Sequence, residues 1–324
     1  MLSQADGSSE LTLCVLGCGT MGIAILTGVL ASLQDKQDLN PEEDVPARLP
    51  SRFLACVRRA ESAKKVEAAL SSHGSVLRVV HGQNVTSAAE SDVVILGCKP
   101  SMASGVLAEP GMADALRGKL LISICGGLTT KQIEDYLHAA APEQDPRAQG
   151  GCRIVRAMPN TASMIREGMT VIEEPEPPPA PRDAALVDWI FRRVGDVVHL
   201  PPSAMDVSTA LCGAGPAFFA LTLEAAADGA VAMGMPRAEA QRMAAQAMRG
   251  AAGLVLNGEH PALLRERVST PGGCTIGGLL VLEEGRVRGT MARAVREATV
   301  VASQLGKGVQ GVNGTRFNTS HQLD

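Results

Sequence analysis

The chain has 324 residues, enough for two domains that each hold a core. A net charge of −4 gives no basic excess to hold nucleic acid, and 2% aromatics leave few platforms for stacking on bases. The 45% apolar and 20% charged content is that of an ordinary globular protein, with Ala, Leu, Val and Gly in place of large aromatics in the core.

The first part of the chain alternates short β-rich runs with helical patterns. A strand is predicted over Leu11–Leu16, then a glycine turn, Gly17–Gly22, and a helix to about Leu33. Gln34–Pro50 is acidic and contains proline, as a surface insertion does. A second strand, Arg52–Val57, leads into a helix over Glu61–Leu70. Further strands are predicted at Val76–Val80, Val93–Leu96 and Leu120–Cys125, each short, apolar and bounded by turn residues, as buried parallel strands are. A helix at Thr129–His138 follows, with strands at Arg153–Ala157 and Met169–Ile172 and a proline-rich loop at Glu174–Pro181. A helix over Asp183–Val194 and a strand over Asp196–Leu200 complete the pattern. The alternation predicts a Rossmann-type, doubly wound α/β sheet over residues 1–201.

After Pro201-Pro202 the strand signals stop. Helices are predicted at Pro216–Met233, Pro236–Leu256, Pro261–Val268, Thr275–Leu282 and Gly289–Leu305, three of them opening on proline, which the first helical turn tolerates. This all-helical domain, 202–307, has stretches such as Ala225–Ala227 and Met243–Met248 that are apolar nearly all round. Such helices need burial on more than one side, so a homodimer through this domain is expected. The polar tail, 308–324, is expected to be disordered.

Eight cysteines include no Cys-x-x-Cys pair and six histidines show no ligand spacing, so no metal is expected. Cys14, Cys56, Cys98 and Cys125 lie in or at the end of apolar runs and are expected as buried free thiols in a reducing, cytoplasmic compartment. Residues 1–10 lack an apolar signal core. The longest apolar stretch, after Pro216, is broken by Glu224 and Asp228, so no membrane contact is expected.

Several motifs carry chemistry. Gly17-x-Gly19-x-x-Gly22 sits between a predicted strand and a predicted helix, the context of a dinucleotide fingerprint. Gly17 would allow the tight turn, Gly19 the approach of the pyrophosphate, and Gly22 close helix–strand packing; Thr20 and Met21 complete the loop. The second strand ends in Val57-Arg58-Arg59 with no carboxylate before Glu61. Two guanidiniums there suit the 2′-phosphate of NADPH rather than a bare ribose, with NADH as the alternative cofactor. Cys98-Lys99-Pro100, Cys125-Gly126-Gly127 and Asn160 all follow strands, where a ligand crevice opens. Lys99 is placed to meet ribose or pyrophosphate, the two glycines leave room for a nicotinamide, and Asn160 is either a cofactor contact or a simple turn cap. Near the C-terminus, Val268-Ser269-Thr270-Pro271-Gly272-Gly273-Cys274-Thr275 gathers hydroxyls and glycines before an apolar helix, a cradle for a small carboxylate. Gly213 and Gly215, in Cys212-Gly213-Ala214-Gly215-Pro216, offer a flat surface for a ring or serve only to start a helix.

On these residues the chain resembles the pyrroline-5-carboxylate reductase family over roughly residues 11–305. The resemblance rests on the Gly17–Gly22 fingerprint, Cys98-Lys99-Pro100, Arg156–Thr161, Gly213–Ala217 and, most specifically, Val268–Thr275. It implies a Rossmann domain, an interlocked helical dimer and, in some members, rings of dimers. It also implies hydride transfer from NAD(P)H to Δ1-pyrroline-5-carboxylate, giving L-proline. Ser269, Thr270, Gly272, Gly273 and Cys274 would then bind the substrate carboxylate, and Thr275 would hydrogen-bond the ring nitrogen. A protonated imine is already electrophilic, so orientation and proximity suffice where no strong acid is present. The chain departs from the family's usual Ser-Gly-Ser-Gly-Pro-Ala-Tyr at Cys212–Phe218, has Thr270 for a common Ser, and Ala162 for a common Pro. Two other readings stay open: an NADPH-dependent reductase of another imine or keto acid, and a catalytically silent NADPH sensor. A β-hydroxyacid dehydrogenase would want a lysine in the helical domain, and none occurs there before Lys307.

Overall fold

The structure is a computed structural model that describes residues 10–34, 45–140, 150–174, 176–309, 312, 314 and 315. The inner part of the expected insertion at 34–50, residues 141–149, and most of the expected tail 308–324 lie outside the described residues. Over the described residues the chain forms two compact units, one within Met1–Gly213 and Thr299–Asp324, the other Ala214–Ala298.

The first unit is built on eight strands: β1 (Leu11–Leu16), β2 (Pro50–Val57), β3 (Leu77–His81), β4 (Val93–Leu96), β5 (Leu120–Ser123), β6 (Arg153–Met158), β7 (Gly168–Glu173) and β8 (Gly195–Leu200). They lie in the order β3-β2-β1-β4-β5-β6-β7-β8. Adjacent strands run parallel except for β6 and β7, which are antiparallel. The doubly wound expectation therefore holds with one reversed step. Its physical cause is the short connection Pro159–Glu167, which contains only a 3-10 turn (Thr161–Ile165). A parallel crossover needs about a dozen residues or more.

Alternation along the strands divides the core in two. Leu11, Leu13 and Val15 of β1 face a cluster that takes in Ile25 and Leu26 of α1 (Thr20–Gln34), Val66 of α2 (Ala60–Ala69), and Trp189, Ile190 and Phe191 of α7 (Pro181–Arg192). Cys14 and Leu16 face the other cluster. That cluster is completed by α3 (Asn84–Ala89), α4 (Pro100–Leu107), α5 (Met112–Leu116) and α6 (Thr130–Ala140), through Ala88, Leu107, Leu116 and Ile133. Both faces of the sheet are covered, so the central strands are apolar on both sides, as parallel strands must be.

Past β8 come α8 (Met205–Ser208) and a π-helical turn, Thr209–Gly213. The second unit then holds α9 (Gly215–Ala232), α10 (Arg237–Leu256), α11 (Pro261–Arg267), α12 (Cys274–Glu284) and most of α13 (Val287–Gly306). Its side chains are conspicuously open: Met233 is 87% exposed, Leu256 80% and Leu221 67%. Pro202–Ala232 is long and apolar enough to cross a membrane by length and composition alone, but it carries Glu224 and an Asp228 that is ion-paired with Arg237 at 2.5 Å. The end of α13 returns to the first unit, where Gln132 Nε2 donates to the Gly306 carbonyl at 2.7 Å.

Candidate cofactor cleft and substrate loop

Strand order reverses direction at β1, between β2 on one side and β4 on the other, and a crevice opens outside the carboxyl ends of strands at such a switch point. Gly17 leaves β1 there at φ +76°, a left-handed backbone that favours glycine. A Cβ on it would stand 2.7 Å from both Cα and N of Cys98. Gly22 faces Val15, and a Cβ there would come 2.9 Å from Val15 Cγ1, so α1 can press close to β1 only through glycine. Gly19 differs: its nearest neighbour would be the Gly17 carbonyl at 3.9 Å, so the space above it is open.

The hydrogen bonds show which amides remain for a ligand. Gly17 and Cys18 N–H both donate to the Cys56 carbonyl, at 2.9 and 3.0 Å, and Gly19 N–H donates to the Gly17 carbonyl at 2.7 Å. The first-turn amides of α1, on Thr20, Met21 and Gly22, have no intrahelical acceptor. Those three amides, with open space over Gly19, make an anion site that fits a pyrophosphate.

Arg58 and Arg59 follow β2 directly, both are exposed, and Arg59 occupies the N-cap of α2. No carboxylate stands at the strand end, which fits a phosphate better than a ribose diol. Cys98-Lys99-Pro100 leads from β4 into α4, with Lys99 at its N-cap and Pro100 in the first turn. Lys99 is exposed and Cys98 is half-buried. The expectation of a buried Cys98 is corrected: two residues past the strand, it is only half-buried. Gly126 and Gly127 follow Cys125 as expected. Gly127 (φ +77°) is pressed against Gly306, whose N would lie 3.2 Å from an added Cβ. Asn160 caps the turn after β6, its Oδ1 accepting from Ala162 N–H at 3.1 Å. Gly213 has a packing reason of its own, since a Cβ would meet Met158 Cε at 2.7 Å.

Gly215 is buried at the start of α9 in the helical unit. The loop between α11 and α12 is shaped by its own contacts. Ser269 Oγ donates back to the Arg265 carbonyl at 2.7 Å, and Gly273 N–H donates to the Thr270 carbonyl at 3.0 Å. Gly272 sits at φ +70°. Gly273 caps α12, and a Cβ there would lie 2.5 Å from Thr270 Oγ1. Cys274 and Thr275 form the first turn of that helix, Thr275 half-buried, with their amides lacking intrahelical acceptors. The loop thus presents helix-start amides beside hydroxyls, the chemistry of a carboxylate holder. What the sequence did not signal is that the Ser269 hydroxyl already serves the preceding helix.

A fingerprinted, mostly parallel sheet, two exposed arginines after its second strand and a separate helical unit define a nicotinamide-dependent oxidoreductase. Residues 12–127 match the family model described as NADP oxidoreductase, coenzyme F420-dependent, and residues 202–305 match that described as pyrroline-5-carboxylate reductase dimerisation. The chain is 63% identical to a pyrroline-5-carboxylate reductase of Lophium arboricola over 98% of its own length and 100% of the relative's. It is 57% identical to that of Neurospora crassa, over 97% and 98%. A solved pyrroline carboxylate reductase of Plasmodium falciparum with NADP bound superposes with a TM-score of 0.72 at 25% identity, covering 93% of this chain and 100% of that one. The chain belongs to the pyrroline-5-carboxylate reductase family.

Proposed function

We propose that the protein reduces Δ1-pyrroline-5-carboxylate to L-proline, the last step of proline biosynthesis, with NADPH as the preferred reductant. The observation that carries this reading is the near full-length identity with pyrroline-5-carboxylate reductases, joined to a cleft whose glycines and amides fit a dinucleotide. Bound NADPH would supply the hydride. The amides of Thr20, Met21 and Gly22 would hold its pyrophosphate, Arg58 and Arg59 its 2′-phosphate, and Cys98, Lys99, Pro100 and Asn160 would border it. In the helical unit the loop from Ser269 to Cys274 would hold the substrate carboxylate, and the Thr275 hydroxyl would orient the ring nitrogen. Gly213 and Gly215 would leave room for the ring. An alcohol has no acidity to donate a proton strongly at neutral pH. The work of these residues is therefore alignment of an imine that arrives protonated.

We further assign dinucleotide binding to residues 1–201 and substrate binding with dimerisation to 202–307. The exposed apolar side chains of α9, α10 and α12, among them Leu221, Leu256 and Val281, support a homodimer through the helical unit. Rings of such dimers and a cytoplasmic location belong to the same reading.

The direct test is NADPH oxidation in the presence of Δ1-pyrroline-5-carboxylate, with proline identified as product. Rapid turnover is expected. Tight NADPH binding without turnover would reject this substrate. Thr275→Ala should lower kcat by roughly 10- to 100-fold, the scale of losing one oriented hydrogen bond to the reacting group, with NADPH affinity and melting temperature kept. An unchanged rate would remove Thr275 from the mechanism. Arg58→Ala combined with Arg59→Ala should raise KM for NADPH by about tenfold or more, since two charge-assisted contacts of about 1.5 kcal/mol or more each are at stake. KM for NADH should hardly move. Equal effects on both cofactors would reject the 2′-phosphate assignment.

A further inference from the structure

Two cysteines stand at the ends of adjacent strands beside the cleft. β4 and β5 pair as far as Leu96 with Ser123, and Ile124 N–H donating to the Leu96 carbonyl at 3.0 Å carries the register onward. Counting forward places Cys98 opposite Cys125. Both side chains lie on the same face of the sheet as Leu96, in one apolar cluster. The Cys125 thiol reaches across the gap, donating to the Cys98 carbonyl at 3.2 Å and lying 3.5 Å from that of Leu96. Neighbouring strands run about 4.8 Å apart, and a disulfide accepts Cα separations of about 4.4–6.8 Å. That spacing puts the two sulfurs within bonding reach once Cys98, two residues past β4, is drawn toward β5.

We propose that Cys98 and Cys125 are a thiol-oxidation site, closing to a reversible disulfide that weakens cofactor binding. Cys98 is the attacking sulfur. It is half-buried, and the Cys125 thiol beside it holds its own thiol below the ordinary cysteine range, against an opposing push from burial. Burial pushes Cys18 and Cys152 up to about 12 and raises Cys14 and Cys56 as well, and the Cys98 side chain together with burial raises Cys125, so none of these thiols is the first to attack. With hydrogen peroxide as oxidant, the Cys98 thiolate attacks one peroxide oxygen and the O–O bond breaks. Hydroxide leaves and takes a proton to become water, and Cys98 becomes a sulfenic acid. Cys125 sulfur then attacks Cys98 sulfur; the S–S bond forms, the S–O bond breaks, and the Cys125 proton leaves with that oxygen as a second water. Two thiols and one peroxide give one disulfide and two waters.

The link to the cofactor is steric and rests on the reading of the cleft as an NADPH site. The Cys98 backbone lies against Gly17 with no room for a methyl group between them, and Lys99 and Pro100 follow it into α4. Drawing Cys98 toward β5 shifts that wall of the cleft. By reciprocity, bound NADPH disfavours the disulfide by the same factor that the disulfide weakens NADPH.

The test treats the full-length protein, free of NADPH, with hydrogen peroxide. Linked peptides are read by mass spectrometry and NADPH affinity by fluorescence. A Cys98–Cys125 peptide is expected, with an affinity loss of about tenfold, recovered on adding dithiothreitol and slowed when NADPH is added first. Cys125→Ala and Cys125→Ser, each compared with its own untreated state, should give no linked peptide and no oxidant-dependent loss of affinity. A missing linked peptide, or an equal loss in both variants, overturns the proposal. A linked peptide with unaltered affinity overturns the switch alone. Failure to bind NADPH before any oxidant is added overturns the cofactor reading and the switch with it.

Discussion

Gly17→Ala is expected to abolish measurable NADPH binding and to lower stability by about 2–4 kcal/mol, whereas Gly19→Ala should lose the cofactor and keep the fold. The difference follows from what a methyl group would meet. At Gly17 it adds the cost of a left-handed backbone, roughly 1 kcal/mol or more. It also drives into Cys98 backbone atoms at 2.7 Å, which no side-chain rotation relieves. Overpacking of that kind costs about 1–3 kcal/mol. At Gly19 the nearest protein atom would be 3.9 Å away, so the methyl enters only the space a pyrophosphate would use. Melting curves and NADPH fluorescence on the two variants separate the effects. A Gly19→Ala protein that binds NADPH normally would remove the phosphate from that space.

Glu173→Ala should be the most damaging single change to stability away from the cleft, costing about 3–5 kcal/mol, the usual loss when one half of a buried ion pair is removed. Arg156 on β6 and Glu173 on β7 face each other across the antiparallel step, one register position beyond Ala157 and Ile172. Their side chains are only 10% and 6% exposed, and the guanidinium Nη1 donates to the carboxylate. The Thr130 hydroxyl approaches the other oxygen at 3.5 Å. Without Glu173 the guanidinium is left buried without its carboxylate partner. Replacing both partners, Arg156→Met with Glu173→Leu, should recover most of the loss, since desolvation of both charges is then removed. Urea midpoints for the two singles and the double form the cycle. A Glu173→Ala loss under about 1 kcal/mol would mean that water reaches the arginine.

The strands were legible because each buried one is a short apolar run between turn residues. Leu11–Leu16 and Val93–Leu96 match residue for residue, and the others differ by two residues or fewer at either end. The helices α3, α4 and α5 were not, since five to eight residues rich in Ala, Ser and Gly leave no 3.6-residue period to read. The π-helical turn at Thr209–Gly213 is likewise silent in the sequence. The reversal of β7 could have been read from connection length, which forbids a crossover. At the cleft, the glycine spacing alone indicated where a turn, an opening and a tight contact would fall. Hydrogen-bond partners were beyond reach. Asn160 caps its own turn and Ser269 bonds the carbonyl four residues before it, and neither partner can be inferred from residue type without the backbone path. The lowered pKa of the Cys98 thiol depends on a neighbour 27 residues away in the chain, brought near only by strand pairing.

The return of α13 to the first unit makes the helical unit an excursion within the chain, entered after Gly213 and left at Thr299. Anyone recombining this reductase with another dinucleotide-binding scaffold therefore faces two junctions. A chimera that exchanges only the leading segment would pair a foreign loop with the native Gly306, where the local clearance tolerates glycine on both sides and little else. The trailing turn and the loop after β5 have to be transplanted together, as matched parts of one scaffold separated by most of the chain's length.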